Sequence, residues 1–274
     1  MKVGKLDQLR SLLRSYGSCV VAYSGGVDSV FLAKLAHLEL GDRMLAVISD
    51  SPSLPRSELA EAVSIARDHS IPLRVVQTKE FENPNYVSNP SNRCYFCKWA
   101  LFDELAEVIR DTGFAVVAYG ENASDIGDNR PGAKAAVEFK VCAPLKEMGM
   151  TKEEIRLYSA QLGLSTADKP QMPCLSSRIP HGVAVTVDKL AMIEAGEASL
   201  RAMGFREVRV RHSVTPIGHS ANVEVGQVEL SRLNSSETWA LIDASLRKIG
   251  YQETEWNRAG YKRGNLSQPA LIVE

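Results

Sequence analysis

The feature that most constrains the fold is an apolar run followed directly by residues 24–29, which are Ser-Gly-Gly-Val-Asp-Ser. The run Cys19 to Tyr23 is typical of a buried strand, and the apolar face of residues 27–39 predicts a helix. Two glycines between them let the backbone approach a ligand, and a helix start presents free N–H groups that bind phosphate. The segment therefore predicts a phosphate-binding loop, with a plain Ser/Gly turn as the alternative.

The side chains of this loop indicate which contacts it would make. Gly25 and Gly26 let the backbone come close to phosphates, and the hydroxyls of Ser24 and Ser29 can donate hydrogen bonds. Asp28 would repel a phosphate, so we expect it to hold Mg²⁺. The Walker pattern with its lysine is absent from the sequence, which argues against an ordinary ATPase or kinase loop.

Strand-like and helix-like patterns alternate through the first half of the chain. This alternation predicts an α/β fold, with a parallel sheet covered by helices on both faces and ligands beyond the carboxyl ends of its strands. The pattern changes to α+β after about residue 180, so we predict one domain at 1–180 and a smaller one at 181–274. Further helices are predicted at 6–13, after Pro55 and at 94–111, 151–162, 187–203 and 236–249, and further strands at 44–48, 73–76, 114–119, 208–212, 223–225 and 251–256.

Composition excludes several classes of protein. Of 274 residues, 45% are hydrophobic and 24% charged, which is ordinary for a globular chain. Lys and Arg total 32 against 33 acidic residues, so charge gives no general reason to expect nucleic-acid binding. No apolar run approaches the roughly 20 residues that span a bilayer, and the first residues lack a signal-peptide core. We therefore expect a cytoplasmic protein without a membrane partner, whose five cysteines are thiols.

Residues 120–132, from Gly120 onward, form a polar, Gly/Asn/Asp-rich loop after the fourth predicted strand. Loops of this length in compact domains are usually functional or disordered. Asp125 and Asp128 offer acceptors for Mg²⁺ or a ribose, and Arg130 can pair with a phosphate through two hydrogen bonds. The alternative is a solvated turn.

Cys174 lies between two cations in the chain, Lys169 and Arg178. Nearby positive charge favours the thiolate, which is the nucleophilic form of cysteine. Pro170 and Pro173 stiffen the approach to this thiol. The alternative is a buried structural thiol.

Cys94 and Cys97 form a CxxC motif in a predicted helix, where residues three apart share a face. A zinc site needs four ligands, and the sequence has no second CxxC and no paired histidines at ligand spacing. Together with Cys174 these thiols make three, which suits a [4Fe–4S] cluster with one open iron. A redox pair and two independent packed thiols stay open as alternatives.

The loop at 24–29 resembles that of the PP-loop ATP pyrophosphatases, which include GMP synthetase, NAD synthetase, argininosuccinate synthetase and tRNA thiolation enzymes. Together with 120–132 and 168–178 it makes nearly the whole chain similar to the LarE family, ATP-dependent sulfur transferases of nickel-pincer cofactor biosynthesis. The resemblance implies a PP-loop ATP pyrophosphatase (adenine nucleotide alpha hydrolase-like) domain, with adenine near Ala22 and Ser49. One departure is Ser124, where a second acidic residue beside Asp125 is expected.

The LarE resemblance also implies a chemistry. ATP would adenylate a carboxylate of pyridinium-3,5-biscarboxylic acid mononucleotide, and sulfur would then replace AMP to give a thiocarboxylate. The sulfur would come from Cys174 itself, leaving dehydroalanine, or from a sulfide on a cluster held by Cys94, Cys97 and Cys174; the CxxC favours the second route. The resemblance further implies a homo-oligomer and, as further partners, a sulfur donor or cofactor-maturation proteins.

The C-terminal domain carries two arginines in one predicted strand. Arg209 and Arg211 alternate with valines, so both guanidiniums should lie on one face, where they suit the phosphate of the mononucleotide. Glu197 and Glu224 lie on neighbouring elements, and either could hold a metal or a proton; we assign Glu197 to Mg²⁺. The alternative is an edge strand with solvated charges.

Two other functions share part of this pattern. A tRNA thiolation enzyme has the same loop and uses cysteines, but it needs an RNA-binding surface, which the balanced charge does not favour. A non-catalytic adenine-nucleotide sensor would keep the fold and release no AMP. A salt-sensitive gel shift with bulk tRNA and an assay for AMP and pyrophosphate separate these alternatives.

Overall fold

The structure is a computed structural model that describes residues 4–125 and 131–261. Its α-helices are α1 (Lys5–Ser15), α2 (Val27–Leu40), α3 (Arg56–Asp68), α4 (Pro84–Val87), α5 (Arg93–Thr112), α6 (Pro131–Glu138), α7 (Pro144–Glu147), α8 (Lys152–Gln161), α9 (Val187–Ala202) and α10 (Ser236–Ile249). Its strands are β1 (Cys19–Ala22), β2 (Met44–Ser49), β3 (Leu73–Val76), β4 (Val116–Tyr119), β5 (Val208–Thr215), β6 (Gly218–Val225) and β7 (Glu253–Trp256).

The first unit is built on a four-stranded sheet in the order β3-β2-β1-β4, with every pairing parallel. Alternate residues of β1 enter two separate cores. Cys19 and Val21 pack with Phe31 of α2, and Val20 and Ala22 pack with residues of α5 and α6. Because a strand sends successive side chains to opposite faces, a sheet covered on both faces needs this continuous apolar run. The predicted α/β fold with a parallel sheet is confirmed.

The second unit contains a three-stranded sheet in the order β5-β6-β7. β5 and β6 pair antiparallel as a hairpin, and β6 and β7 pair parallel. Val208, Val210 and Val223 are fully buried in a core with residues of α9 and α10. The predicted change to α+β architecture is therefore found in this part of the chain.

Contacts divide the chain into Met1–Glu80 with Asn92–Met172, and Phe81–Ser91 with Pro173–Glu274. The single boundary predicted at residue 180 differs from this division in two ways. The change of unit falls between Met172 and Pro173, and the segment Phe81–Ser91 groups with the C-terminal residues. Across the described ranges, no helix combines the length and apolarity needed to cross a membrane.

Candidate active site

The loop at residues 24–29 joins the end of β1 to the start of α2 in the first unit. Gly26 stands at the N-cap of α2 in an extended conformation, and no side chain caps the helix there. Gly25 has φ +70°, and a Cβ added to it would lie 2.6 Å from the Cβ of Ala62. Only glycine fits this position. Because no side chain caps the helix, the first backbone N–H groups of α2 are available to a ligand.

Two serines hold the loop in shape. The Ser29 hydroxyl donates to the Gly26 carbonyl at 3.1 Å and accepts from the Ser24 backbone N–H at 3.1 Å. The hydroxyls of Ser24 and Ser29 lie 3.0 Å apart, and because Ser29 has a single hydroxyl proton, Ser24 is the donor between them. The loop is thus organised by its own hydrogen bonds before any phosphate contact forms.

A cavity of about 430 Å³ opens beside this loop, within the size range of small-molecule sites. Its walls come from the loop, from α5 and from the segment that follows β4. Eight residues predicted to act in the site line it: Ala22, Ser24, Gly26, Asp28, Ser29, Cys94, Gly120 and Asp125. Gly25 and Ser49 lie outside this lining, and Ser49 bonds instead to the hydroxyl of Thr78 at 2.6 Å.

Gly120 brings the end of β4 against the loop. A Cβ at this position would lie 3.0 Å from the backbone nitrogen of Ser29 and 3.1 Å from the Cβ of Asp28. Real Cβ atoms rarely approach so closely, so any larger residue would displace the loop. Gly132, which also lines the cavity, is similarly confined, because a Cβ added there would lie 2.9 Å from Cγ of Lys98.

Asp28 has one engaged and one unengaged carboxylate oxygen. Its Oδ2 lies 2.5 Å from Nζ of Lys152, at the start of α8. Its Oδ1 is buried and has no hydrogen-bond partner. A buried oxygen without a partner is costly, so this atom fits a bound cation. Mg²⁺ is commonly held by one or two carboxylates together with nucleotide phosphates, and Asp28 can supply such a ligand.

The loop after β4 contributes further acceptors. Asp125 Oδ2 accepts from the backbone N–H of Asn122 at 3.2 Å, and Asp125 lines the cavity. Ser124, the residue that departs from the family pattern, accepts from the backbone N–H of Lys152 at 3.0 Å. The predicted ligands Asp128 and Arg130 lie outside the described residues.

Two charged residues that sequence reasoning missed also line the cavity. Lys98 lies one helical turn after Cys94 on α5, with Nζ 5.6 Å from the ring centre of Phe102 and 5.9 Å from that of Tyr119. Glu121 accepts from the Tyr119 hydroxyl and lies 2.9 Å from Nζ of Lys146. Lys98 follows the CxxC directly, and the i,i+4 spacing to Cys94 was the signal that could have found it.

Cys94 and Cys97 lie near the start of α5, with Cys94 exposed and Cys97 half-buried. Their spacing places both on neighbouring positions of one helix face. Within residues 4–125 and 131–261, no group of three or more His, Cys, Asp or Glu side chains is placed to hold a metal ion. Cys94 and Cys97 belong to the first unit, whereas Cys174, the third predicted ligand, belongs to the second.

Lys169 belongs to the first unit and is held by two carboxylates. Its Nζ lies 2.8 Å from an oxygen of Glu58 and 2.8 Å from an oxygen of Glu61, both on α3. Burial lowers the pKa of Lys169, but the hydrogen bonds to these carboxylates outweigh it and the pKa is raised overall. The predicted activating charge of Lys169 is thus already matched by two acids in its own unit.

Cys174, in the second unit, is half-buried and precedes the short helical turn Leu175–Arg178. Arg178 is fully buried and holds the backbone beside this cysteine, donating to the carbonyls of Pro173 at 2.7 Å and Cys174 at 3.0 Å. The other side of its guanidinium binds both oxygens of Glu197, at 2.8 and 3.1 Å. Arg178 therefore orients the segment that carries the thiol, with its charge matched by Glu197.

Glu197 is surrounded by donors in this structure. Besides Arg178, it accepts from Arg201 at 2.9 Å and from the backbone N–H of Val210 at 3.2 Å, and it is fully buried. A magnesium ion beside this carboxylate would meet two guanidiniums. The geometry favours a structural ion pair over the metal ligation predicted for Glu197.

Arg209 and Arg211 lie on β5, and neither is a solvated surface charge. Arg211 binds Glu224 at 2.8 Å and the carbonyl of Ser177 at 3.0 Å. Arg209 is buried, donates to the carbonyl of Val208 at 2.7 Å and lies 4.9 Å from the ring centre of Tyr261. Burial first, and the charge of Arg178 second, lower the pKa of Arg209.

Four arginines and two glutamates form a charged cluster in the second unit, and one of them, Arg178, contacts Cys174. Arg178 and Arg201 share Glu197, and Arg211 pairs with Glu224. The charge of Arg178 lowers the pKa of Arg209, and the charge of Glu197 raises it. These six described side chains comprise four guanidiniums and two carboxylates, so the cluster is suited to receive an anionic group.

Comparison with known proteins agrees with this architecture. No model of a known protein family matches the chain. An uncharacterized protein of Synechocystis sp. is 37% identical over 268 residues, which is 98% of each chain. Pyridinium-3,5-bisthiocarboxylic acid mononucleotide synthase of Lactiplantibacillus plantarum is 27% identical over 96% of this chain and 94% of its own. A subunit of glutamine-hydrolyzing GMP synthase from Thermoplasma volcanium is 28% identical over 69% of this chain and 64% of its own.

The parallel sheet of the first unit fits a PP-loop ATP pyrophosphatase domain, and the similarity to these two synthases supports this fold. The similarity to the bisthiocarboxylic acid mononucleotide synthase extends through both units of the chain. The chain belongs to the LarE family, within the PP-loop ATP pyrophosphatases.

Proposed function

We propose that this protein is an ATP-dependent, AMP-forming sulfur transferase that converts carboxylates of pyridinium-3,5-biscarboxylic acid mononucleotide into thiocarboxylates. The observation that carries the proposal is the cavity at the loop of residues 24–29. There, Oδ1 of Asp28 has no hydrogen-bond partner and lies at the N-terminus of α2, which no side chain caps. The full-length similarity to a bisthiocarboxylic acid mononucleotide synthase supports the choice of substrate.

The nucleotide half of the reaction uses the first unit. The β- and γ-phosphates bind the N–H groups at the start of α2, and the adenine lies near Ala22 and Ser49 at the ends of β1 and β2. Asp28 would hold Mg²⁺, and this ion would neutralise charge on the departing pyrophosphate. Asp125 would accept a hydrogen bond from the ribose or help to hold Mg²⁺, and Asp128 and Arg130 are proposed to assist.

A carboxylate oxygen of the substrate attacks the α-phosphorus of ATP. The bond from that phosphorus to the oxygen bridging to the β-phosphorus breaks, and pyrophosphate leaves with the electron pair. The organised loop favours this step because its donors are already in place where charge collects on the leaving group. The product is an acyl adenylate, whose carbonyl carbon is open to a sulfur nucleophile.

Sulfur then comes from Cys174 in the simplest route. Its thiolate attacks the acyl carbon and displaces AMP, forming a thioester. Loss of the Cα proton and cleavage of the Cβ–S bond leave dehydroalanine in the chain and a thiocarboxylate on the product. Arg178 contributes by fixing the carbonyls of Pro173 and Cys174, which orients the thiol.

The phosphate of the mononucleotide is proposed to bind the charged cluster of the second unit, through Arg209 and Arg211. The cluster has more guanidiniums than carboxylates among its described members, which supports an anionic ligand. Replacing Arg209 or Arg211 by Gln should weaken substrate binding and leave ATP binding unchanged. An equal loss of both affinities would contradict this assignment.

We also propose a second sulfur source, in which Cys94, Cys97 and Cys174 ligate a [4Fe–4S] cluster that supplies sulfide. The CxxC on one face of α5 supports two of the three ligands. The test is anaerobic reconstitution followed by absorption and iron analysis, with Cys97→Ser as the matched variant. Retention of iron by the wild type and its loss in the variant are expected; no iron in the wild type would overturn the cluster.

Mass spectrometry of the intact protein after turnover separates the two sources. Loss of one H₂S at Cys174 is expected for the sacrificial route. An unchanged mass together with thiocarboxylate product is expected for the cluster. A homo-oligomer and a sulfur-donor or cofactor-maturation partner also remain proposals, and light scattering of the purified protein tests the first.

A further inference from the structure

We infer that Lys152 is the pyrophosphate-binding lysine of this site, which leaves Asp28 and moves to the β,γ-phosphates when the magnesium nucleotide enters. This inference rests on the proposed function and concerns a lysine that lies outside the loop at residues 24–29. A Walker loop carries its own lysine, whereas residues 24–29 hold none. The structure brings Lys152, from the start of α8, into contact with Asp28 of the loop.

The starting point is the pair between Nζ of Lys152 and Oδ2 of Asp28, at 2.5 Å. Asp28 is the second residue of α2, where the phosphates are proposed to bind, and it lines the cavity. Only the Asp28 carboxylate therefore separates the Lys152 ammonium from the position proposed for the phosphates. Both side chains are partly exposed, and ion pairs of that kind contribute little to stability, so an incoming ligand can separate them.

The other oxygen of Asp28 supplies the reason for exchange. Oδ1 is buried without a partner, so the carboxylate is only half satisfied by Lys152. A divalent cation would satisfy the carboxylate better than one ammonium does. Mg²⁺ held by Asp28 would repel the Lys152 ammonium, and the phosphate oxygens would attract it.

The backbone under Lys152 is fixed, which confines the motion to its side chain. Its backbone N–H donates to Ser124 Oγ at 3.0 Å, and Thr151 and Glu154 form a reciprocal capping box around it. Glu154 is in turn held by Lys5 at 2.9 Å. A flexible four-carbon stem on a rigid helix start can move its charge between two nearby anions at small cost.

Titration calorimetry with magnesium pyrophosphate, ATP and AMP tests this role. Lys152→Met should weaken pyrophosphate and ATP binding about tenfold or more, the effect of losing a hydrogen bond between charged groups. AMP lacks the β- and γ-phosphates, so its affinity should change by less than about twofold. Lys152→Arg should recover most of the pyrophosphate affinity. Lys34→Met is the matched control, because Nζ of Lys34 is also hydrogen-bonded, to the carbonyl of His69 at 3.0 Å, and Lys34 is not part of the cavity lining. It should leave all three affinities unchanged.

A second readout is Mg²⁺ alone, which competes with Lys152 for Asp28. Lys152→Met should bind Mg²⁺ more tightly than the wild type in the absence of nucleotide. Equal loss of AMP and pyrophosphate affinity, or unchanged pyrophosphate affinity, would overturn the role of Lys152. Failure of the wild type to bind ATP at all would instead overturn the proposed function, so the two failures are distinguishable.

Discussion

At the scale of single residues, the site is shaped by close approaches that leave little freedom of substitution. Gly25 lies against Ala62, and Gly120 lies against the backbone of Asp28 and Ser29. The hydroxyls of Ser24 and Ser29 close the loop on itself. These contacts position the helix N–H groups before the nucleotide binds, which lowers the entropy cost of binding.

Gly120→Ala tests this close approach. The added methyl group would lie 3.0 Å from the Ser29 nitrogen, so the loop must shift, at a cost of about 1–3 kcal/mol for such overpacking. We expect ATP affinity to fall by about tenfold or more, measured by titration calorimetry. Gly4→Ala is the control, because its methyl would meet only Asp7, at 3.7 Å. Unchanged ATP affinity in Gly120→Ala would contradict the account of this wall.

At the scale of elements, local pattern predicts most helices and strands because the apolar face of each is long and periodic. The Thr-x-x-Glu pattern of Thr151 and Glu154 forms a capping box at the start of α8, with both of its hydrogen bonds present. Pattern was less informative at element ends: β5 and β6 extend to meet in a hairpin, beyond the predicted 208–212 and 223–225. The residues next to the turn of this hairpin, such as Val214 and Thr215, are not buried, and pairing with the neighbouring strand holds them in register.

Thr151→Ala tests the capping box and its link to the site. Loss of an N-cap side chain costs about 1 kcal/mol in the free energy of unfolding, measured by urea denaturation. Because Lys152 follows directly, we also expect weaker magnesium pyrophosphate binding. Thr186→Ala removes the N-cap of α9 in the second unit and serves as control. It should lower stability similarly and leave pyrophosphate affinity unchanged; equal effects on affinity would contradict the link.

At the scale of the whole molecule, the sequence predicts the parallel sheet and the α+β second part, but not the division of the chain between them. Phe81–Ser91 joins the C-terminal unit because Asn89 donates to the carbonyls of Pro180 and Val183, at 2.8 and 3.0 Å. Such bonds link residues about ninety positions apart and have no local signature. The partners of Glu197 and Lys169 were missed for the same reason: their ion pairs join separate elements.

The second unit should lose stability in mild acid because of His212. Burial first, then the charges of His219 and Lys189, lower its pKa from 6.5 to about 4. Between these values the unfolded chain binds a proton that the folded chain does not, so stability falls as the pH drops through this window. The expected loss is about 2 kcal/mol from pH 7.5 to 5.

Urea denaturation at the two pH values measures this effect. His212→Asn should reduce the loss on acidification, and His69→Asn should leave it as in the wild type. His212 is fully buried and its Nδ1 lies 3.2 Å from the Tyr251 hydroxyl, so the variant will also be less stable at both pH values. The difference between the two pH values is therefore the quantity to compare. If acidification lowered the free energy of unfolding of His212→Asn as much as that of the wild type, His212 would not be the cause of the acid sensitivity.

The central claim is that this chain cleaves ATP to AMP and pyrophosphate in order to activate a carboxylate for sulfur. Chromatography of the ATP products, with and without pyridinium-3,5-biscarboxylic acid mononucleotide, tests it most directly. We predict AMP and pyrophosphate only when the carboxylate is present, with thiocarboxylate formed alongside, and neither product in Asp28→Asn. Release of ADP and phosphate, or equal AMP formation with and without the carboxylate, would contradict this claim.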